Sequence, residues 1–274
     1  MSKILDNCLF EKDSHRYDKI KELAKTFSKS YIGNNIPCDH IFSIIDTYCK
    51  RNGFDVQIFR FPIEDEKIWA LTSIKKGCIF VTINTSLELN KQIFAAAHEL
   101  YHIYCYIDGD DDELVNGSIL IAENASDIDV SMEEREANAF AALILAPLKQ
   151  VEQQKKIADV DAESIAKLII LVIYFMDCFA LPYKAMVIKL WECKIIQKEQ
   201  ADSLLLEEKN VENFIRTREG MGSRWLKRTY DNNLNAIRDI IESNKQNLYI
   251  SDERAATDLE VINHIISSLP KCKE

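Results

Sequence analysis

The sequence predicts an α+β fold that is mostly helical, and three observations point to it. Three short strand-like runs lie close together between residues 54 and 83. Runs with helical periodicity fill most of the remainder. Seven glycines and five prolines in 274 residues leave few breaks, which favours long helices joined by short loops. A chain of this length can bury a sizeable core, as one large domain or two small ones. With 47% apolar and 28% charged residues it has the balance of an ordinary globular protein, not of a disordered one.

Taken in order, RYDKIKELAKTFSKSYI (16–32) repeats apolar positions at helical spacing and stops at Gly33-Asn34-Asn35. Pro37 occupies a favourable first helical position for the run ending at Gly53. FDVQIFRF (54–61), IWALTSI (68–74) and CIFVTI (78–83) read as strands, with Lys75-Lys76-Gly77 as a tight turn, and a small antiparallel sheet is expected. A helix over about 90–107 carries HELYH, and DGDDDE (108–113) reads as an acidic loop. MEEREANAFAALILAP (132–147) is a helix closed by Pro147. From about 150 the chain reads as all helical, with 184–205 amphipathic and a glycine-broken basic stretch at 216–230. The most apolar run, 164–181, has an uncharged core from Leu168 to Met176 only, far short of the roughly 20 residues of a membrane span; it reads as a buried helix.

A formal charge of −10 argues against non-specific binding to nucleic acid. Eight scattered cysteines form no C-x-x-C pair, so cysteine-bound zinc is not supported. The first residues lack the apolar core of a secretory signal, and unpaired thiols without such a signal fit a reducing cytoplasm.

The chemistry concentrates at His98-Glu99-Leu100-Tyr101-His102. Helical residues four apart project to one side, so His98 and His102 can share one ion. Glu99 is turned about 100° from His98, badly placed to ligate but able to reach a water beside the ion. That is the arrangement of a zinc hydrolase, with two imidazoles as ligands and a carboxylate as general base. Such a short pattern can arise by chance. Its apolar surroundings favour metal, because two histidines buried together would otherwise lack partners.

A third ligand has three possible sources. Asp108 holds the spacing of the extended H-E-x-x-H-x-x-G-x-x-H/D pattern, but Cys105 stands where that pattern requires glycine. The DGDDDE carboxylates read more simply as a solvated turn. The 132–147 helix offers Glu133, Glu134 and Glu136, of which at least one should face solvent. Glu134 shares a face with Ala137, Asn138, Ala141 and Leu145, so it can point inward where small residues permit close approach; Glu136 comes next. Asn138 could hydrogen-bond a ligand histidine.

Together, HELYH with its apolar lead-in and E-R-E-A-N-A-F-A-A-L-I-L-A-P downstream resemble the ImmA/IrrE family of bacterial metallopeptidases. The resemblance covers about 35–205, leaving 1–34 as an N-terminal helical extension and 206–274 as a helical C-terminal one. It implies a zincin-like (gluzincin-like) domain with His98, His102 and Glu134 as zinc ligands and Glu99 as general base. Tyr101 departs from the glycine common at its position. The resemblance also implies a cytoplasmic endopeptidase acting on a regulatory protein, a helix-turn-helix repressor of a mobile-element, phage or stress-response circuit.

A substrate segment is expected to add as a strand along an exposed edge of the 54–83 sheet. Tyr101, Tyr104 and Tyr106 are undecided candidates for the oxyanion stabiliser. One alternative is a non-cleaving regulator that sequesters a repressor around a structural metal. Another is direct nucleic-acid contact through Arg216, Arg218, Arg224, Lys227 and Arg228; a basic face docked on the acidic body is the simpler reading. No membrane partner is expected.

Overall fold

The computed structural model describes residues 3–108, 118–121, 131–158, 164–217, 220 and 223–271. Most of the DGDDDE loop, residues 109–113, and Arg218 lie outside them.

Two short helices, α1 (Lys3–Asp6) and α2 (Leu9–Lys12), lead into α3 (Ser14–Tyr31), whose first turn is capped by Asp13 accepting from Arg16 N at 3.0 Å. Burial of Tyr17, Ile20, Ala24 and Phe27 marks its inner stripe. A turn of 3₁₀ helix (Cys38–His40) then opens α4 (Ile41–Arg51).

The strands are β1 (Asp55–Phe61), β2 (Ile68–Lys75) and β3 (Cys78–Asn84), and Ser118–Ile121 supplies a fourth, β4. Lys76 and Gly77, with φ of 53° and 78°, form the two-residue turn between β2 and β3. Both angles suit the right-handed twist of the hairpin, and glycine carries the second without strain.

The sheet runs β1-β3-β2-β4, and β1 pairs parallel with β3. It is therefore mixed, not the antiparallel sheet expected. Alternation reports which face a side chain takes and is the same for either strand direction, so it cannot reveal that the β2–β3 hairpin folds back with β3 on the inside.

Of the two edges of the 54–83 sheet, one is extended by a further strand and the other is contacted near Arg60. β4 pairs along β2, with a register shift at Ile68/Ala70 that leaves Trp69 outside the ladder. On β1, Asn233 donates from N to Arg60 O (3.0 Å) and accepts from Arg60 N (2.8 Å). A strand added beside β4 would extend the sheet, whereas one added along β1 would meet Asn233.

Across one face of the sheet lies α5 (Leu89–Asp108), the helix of HELYH. Ala95, Ala96 and Ala97 let it sit close against the buried Ala70, Ile79, Val81 and Ile83. Next comes α6 (Met132–Leu145), packed on α5 and α3 and stopped before Pro147. The remaining helices are α7 (Leu148–Ala158), α8 (Ile165–Phe179), α9 (Tyr183–Glu192), α10 (Lys198–Leu206) and α11 (Glu208–Arg216). The amphipathic 184–205 run is two helices, because Lys194 turns left-handed (φ 55°) and Gln197 with Gln200 forms a new capping box.

α8 is buried along Leu168, Leu171, Val172, Phe175 and Met176. No single helix among the described residues is long and apolar enough to cross a membrane, and α8 meets α9 at a 103° bend. One buried cluster runs from Leu5 to Leu226. Beyond it, α12 (Asn235–Gln246) and α13 (Asp252–Ser268) pair as a hairpin.

Candidate metal centre

Two helix details assemble the centre. His98 and His102 stack on one face of α5, both buried, with Nε2 atoms 3.2 Å apart. Glu133 and Glu134 occupy the first turn of α6, whose cap Ser131 accepts from Glu134 N at 3.1 Å. The positive end of the helix dipole there favours carboxylates. The helices run antiparallel, since the earlier histidine meets the later residue of α6.

Glu134 Oε2 lies 3.2 Å from His98 Nε2, and Oε1 lies 3.5 Å from His102 Nε2. The outer nitrogens are also engaged. His98 Nδ1 is 3.0 Å from Asn138 Oδ1, and His102 Nδ1 is 3.0 Å from Glu133 Oε1. A side-chain carbonyl and a carboxylate both accept, so each Nδ1 carries the proton and each Nε2 of a neutral ring points a lone pair inward.

Two lone pairs and a carboxylate then converge on one point, an arrangement that calls for a cation. A tetrahedral ion with bonds of about 2.0–2.1 Å sets its ligand atoms roughly 3.3 Å apart; the two Nε2 atoms are 3.2 Å apart, and each has a Glu134 oxygen, Oε2 or Oε1, at 3.2 or 3.5 Å. His98, His102 and Glu134 fit a metal ion.

Without one, the cluster holds a proton. Burial opposes charge on His102, but hydrogen bonds to Glu133 and Glu134 and the charge of Glu99 outweigh it and lift the imidazole to about 10. Burial likewise opposes charge on Glu134, yet its bonds to the two histidines hold its carboxyl well below the usual range. Glu99, fully buried, sits one residue from His98 with its charge bearing on His102.

The chain places the other candidates as follows. Asp108 accepts from Tyr48 OH at 3.0 Å, at the far end of α5, and is not in the cluster. Glu136 accepts from Tyr101 OH at 2.8 Å and pairs with Arg16 at 2.8 Å. None of Glu133, Glu134 and Glu136 is simply solvated, contrary to expectation: α6 turns three carboxylates toward α3 and α5 because each meets a donor there. Tyr101 also packs on Phe140, ring centroids 5.6 Å apart. Tyr104 stacks on Tyr48, and Tyr106 meets Phe54 edge-on.

Residues 51–169 match the IrrE N-terminal-like domain of the M78 peptidases. Over that segment, somewhat less than half of its length, the chain is similar to the IrrE-like peptidases. The match spans both motif-bearing helices, α5 and α6, and so contains His98, His102 and Glu134. It ends within α8, leaving α9–α13 outside. No curated protein matches the chain.

Sequence reasoning missed one partner of the metal centre. Glu133 orients His102, and nothing in its spacing sets it apart from Glu136. The basic stretch docks on the body: Arg216 pairs with Glu88, Arg228 with Glu66 and Glu88, and Arg224 with Asp39 at 3.1 Å.

Proposed function

We propose that the chain is a zinc-dependent endopeptidase that cleaves a regulatory protein. The observation that carries this reading is the convergence of His98, His102 and Glu134, with Glu99 buried beside them. Among the described residues three donors meet, whereas a closed structural zinc site uses four, and this favours catalysis over a non-cleaving regulator. Zinc held there would polarise a scissile carbonyl and make water nucleophilic near neutral pH.

The chain's own residues do the rest. Asn138 and Glu133 fix the ring orientations of His98 and His102. Glu99 takes the proton from the attacking water and returns it to the leaving amine nitrogen. The substrate segment enters as a strand beside β4. A helix-turn-helix repressor, met in the cytoplasm, is the substrate we favour; Arg216, Arg224 and Arg228 are each paired within the protein, which weighs against the nucleic-acid reading.

The test is co-expression with a candidate helix-turn-helix repressor, using wild type and Glu99→Gln. The variant should keep bound zinc and lose cleavage. Normal cleavage by Glu99→Gln would refute the mechanism, and zinc without cleavage in either form would favour the sequestering regulator.

A further inference from the structure

A pocket of about 400 Å³ opens where α6 faces α9 and the start of α5. Trp69, Phe94, Phe10, Tyr183 and Ile188 give it apolar walls, and α6 contributes Arg135, Asn138, Ala139 and Ala142 at one-face spacing. This size suits a small ligand.

The charges lining it are largely paired within the protein. Lys184 meets Glu208 at 3.1 Å, Glu192 meets Lys189 at 3.1 Å, Lys91 meets Glu88 at 3.0 Å, and Glu66 meets Arg228. Glu212 is the exception: burial, with Glu88 and Glu208 nearby, pushes its carboxyl above the ordinary range despite Lys91 and Arg216.

Arg135 differs. It is 7% exposed and lines the pocket, and its Nη1 donates to the backbone carbonyl of Asn7. Among the described residues no carboxylate pairs with it. A guanidinium has five N–H donors and its charge cannot be shed, so burying one beside a single carbonyl leaves most of its capacity unused. A charge in such a position asks for an anion, and the fork geometry suits a carboxylate.

We propose that this pocket binds a molecule made of one carboxylate and an apolar body, with the carboxylate on Arg135 and the body along Trp69, Phe94 and Ile188. Arg135 directly follows Glu134, and Asn138 both lines the pocket and bonds His98. The occupant therefore rests against the residues that hold the metal centre. Binding does not depend on peptidase activity, so this site and the proposed function can fail separately.

Calorimetric titration of the full chain tests it with four probes: decanoate, 1-decanol, N-acetyl-Leu-Phe as the free acid, and its amide. At least one acid should bind saturably, one per chain, about tenfold or more tighter than its uncharged counterpart. Arg135→Gln should weaken acid binding about 10- to 100-fold and leave the alcohol unchanged. Ala142→Phe, which fills the pocket and keeps Arg135, should abolish binding. Preference for the peptide acid assigns the carboxylate to a chain end; preference for decanoate assigns it to a free acid. Acid and uncharged probe binding alike, neither acid binding, or full acid affinity in Arg135→Gln or Ala142→Phe would each overturn the proposal.

Discussion

Replacing Asn138 by alanine removes the acceptor at 3.0 Å from His98 Nδ1. The His98 side chain is 1% exposed, so water is poorly placed to substitute. Leaving a buried donor unsatisfied costs about 1–3 kcal/mol. Loss of a group supporting a ligand histidine typically costs about 10- to 100-fold in metal affinity, or about 1.4–2.7 kcal/mol. The two estimates agree, so Asn138→Ala should weaken zinc binding by one to two orders of magnitude. Asn138→Asp, which supplies a charged acceptor of the same size, should bind zinc at least as tightly as wild type. Competition against a chromophoric chelator measures both, with circular dichroism confirming the fold. If Asn138→Ala binds zinc within twofold of wild type, Asn138 does not support His98 and the reasoning fails.

Zinc uptake near pH 7 by the metal-free chain should release about one proton, because His102 is held up at about 10 and must be neutral to ligate. Calorimetry in buffers of different ionisation enthalpy reads this directly, and zero protons released would contradict it. The raised His102 also stabilises the metal-free fold fully below its unfolded value of 6.5, a contribution lost as pH climbs through about 10. Metal-free Tm should accordingly fall over that window, with zinc-loaded protein much less affected. Lys189→Met leaves the Glu192 side chain, 8% exposed, with Tyr17 alone among the described residues donating to it, and urea unfolding should show a loss of about 3–5 kcal/mol. Adding Glu192→Leu should recover most of that loss; no recovery would mean that the ion pair is not its source.

The residues that carry local periodicity wrote their elements into the sequence. HELYH places two imidazoles on one face wherever a helix forms, and the alanines around it dictate that the helix is buried. EEREANAF could be read the same way: Glu134 and Asn138 share a face four residues apart, and that face is the one turned to His98. Lys75-Lys76-Gly77 announced its turn because φ is a local property.

Other features had no local signature. The parallel pairing of β1 with β3 depends on which strand the hairpin lays inside, and period-two alternation is blind to direction. Whether Glu133 would face water or His102 depended on the roll of α6 against α5, set by contacts of Phe140 with Phe27 and Tyr101. Arg135 stands in the sequence among the charges of a helix start, and its burial follows only from packing with distant segments. Spacing along the chain fixes which side chains share a face, because helix and strand geometry are short-range. What that face meets is decided by packing between segments far apart in sequence, and there a carboxylate finds its histidine and a buried arginine is left without an anion.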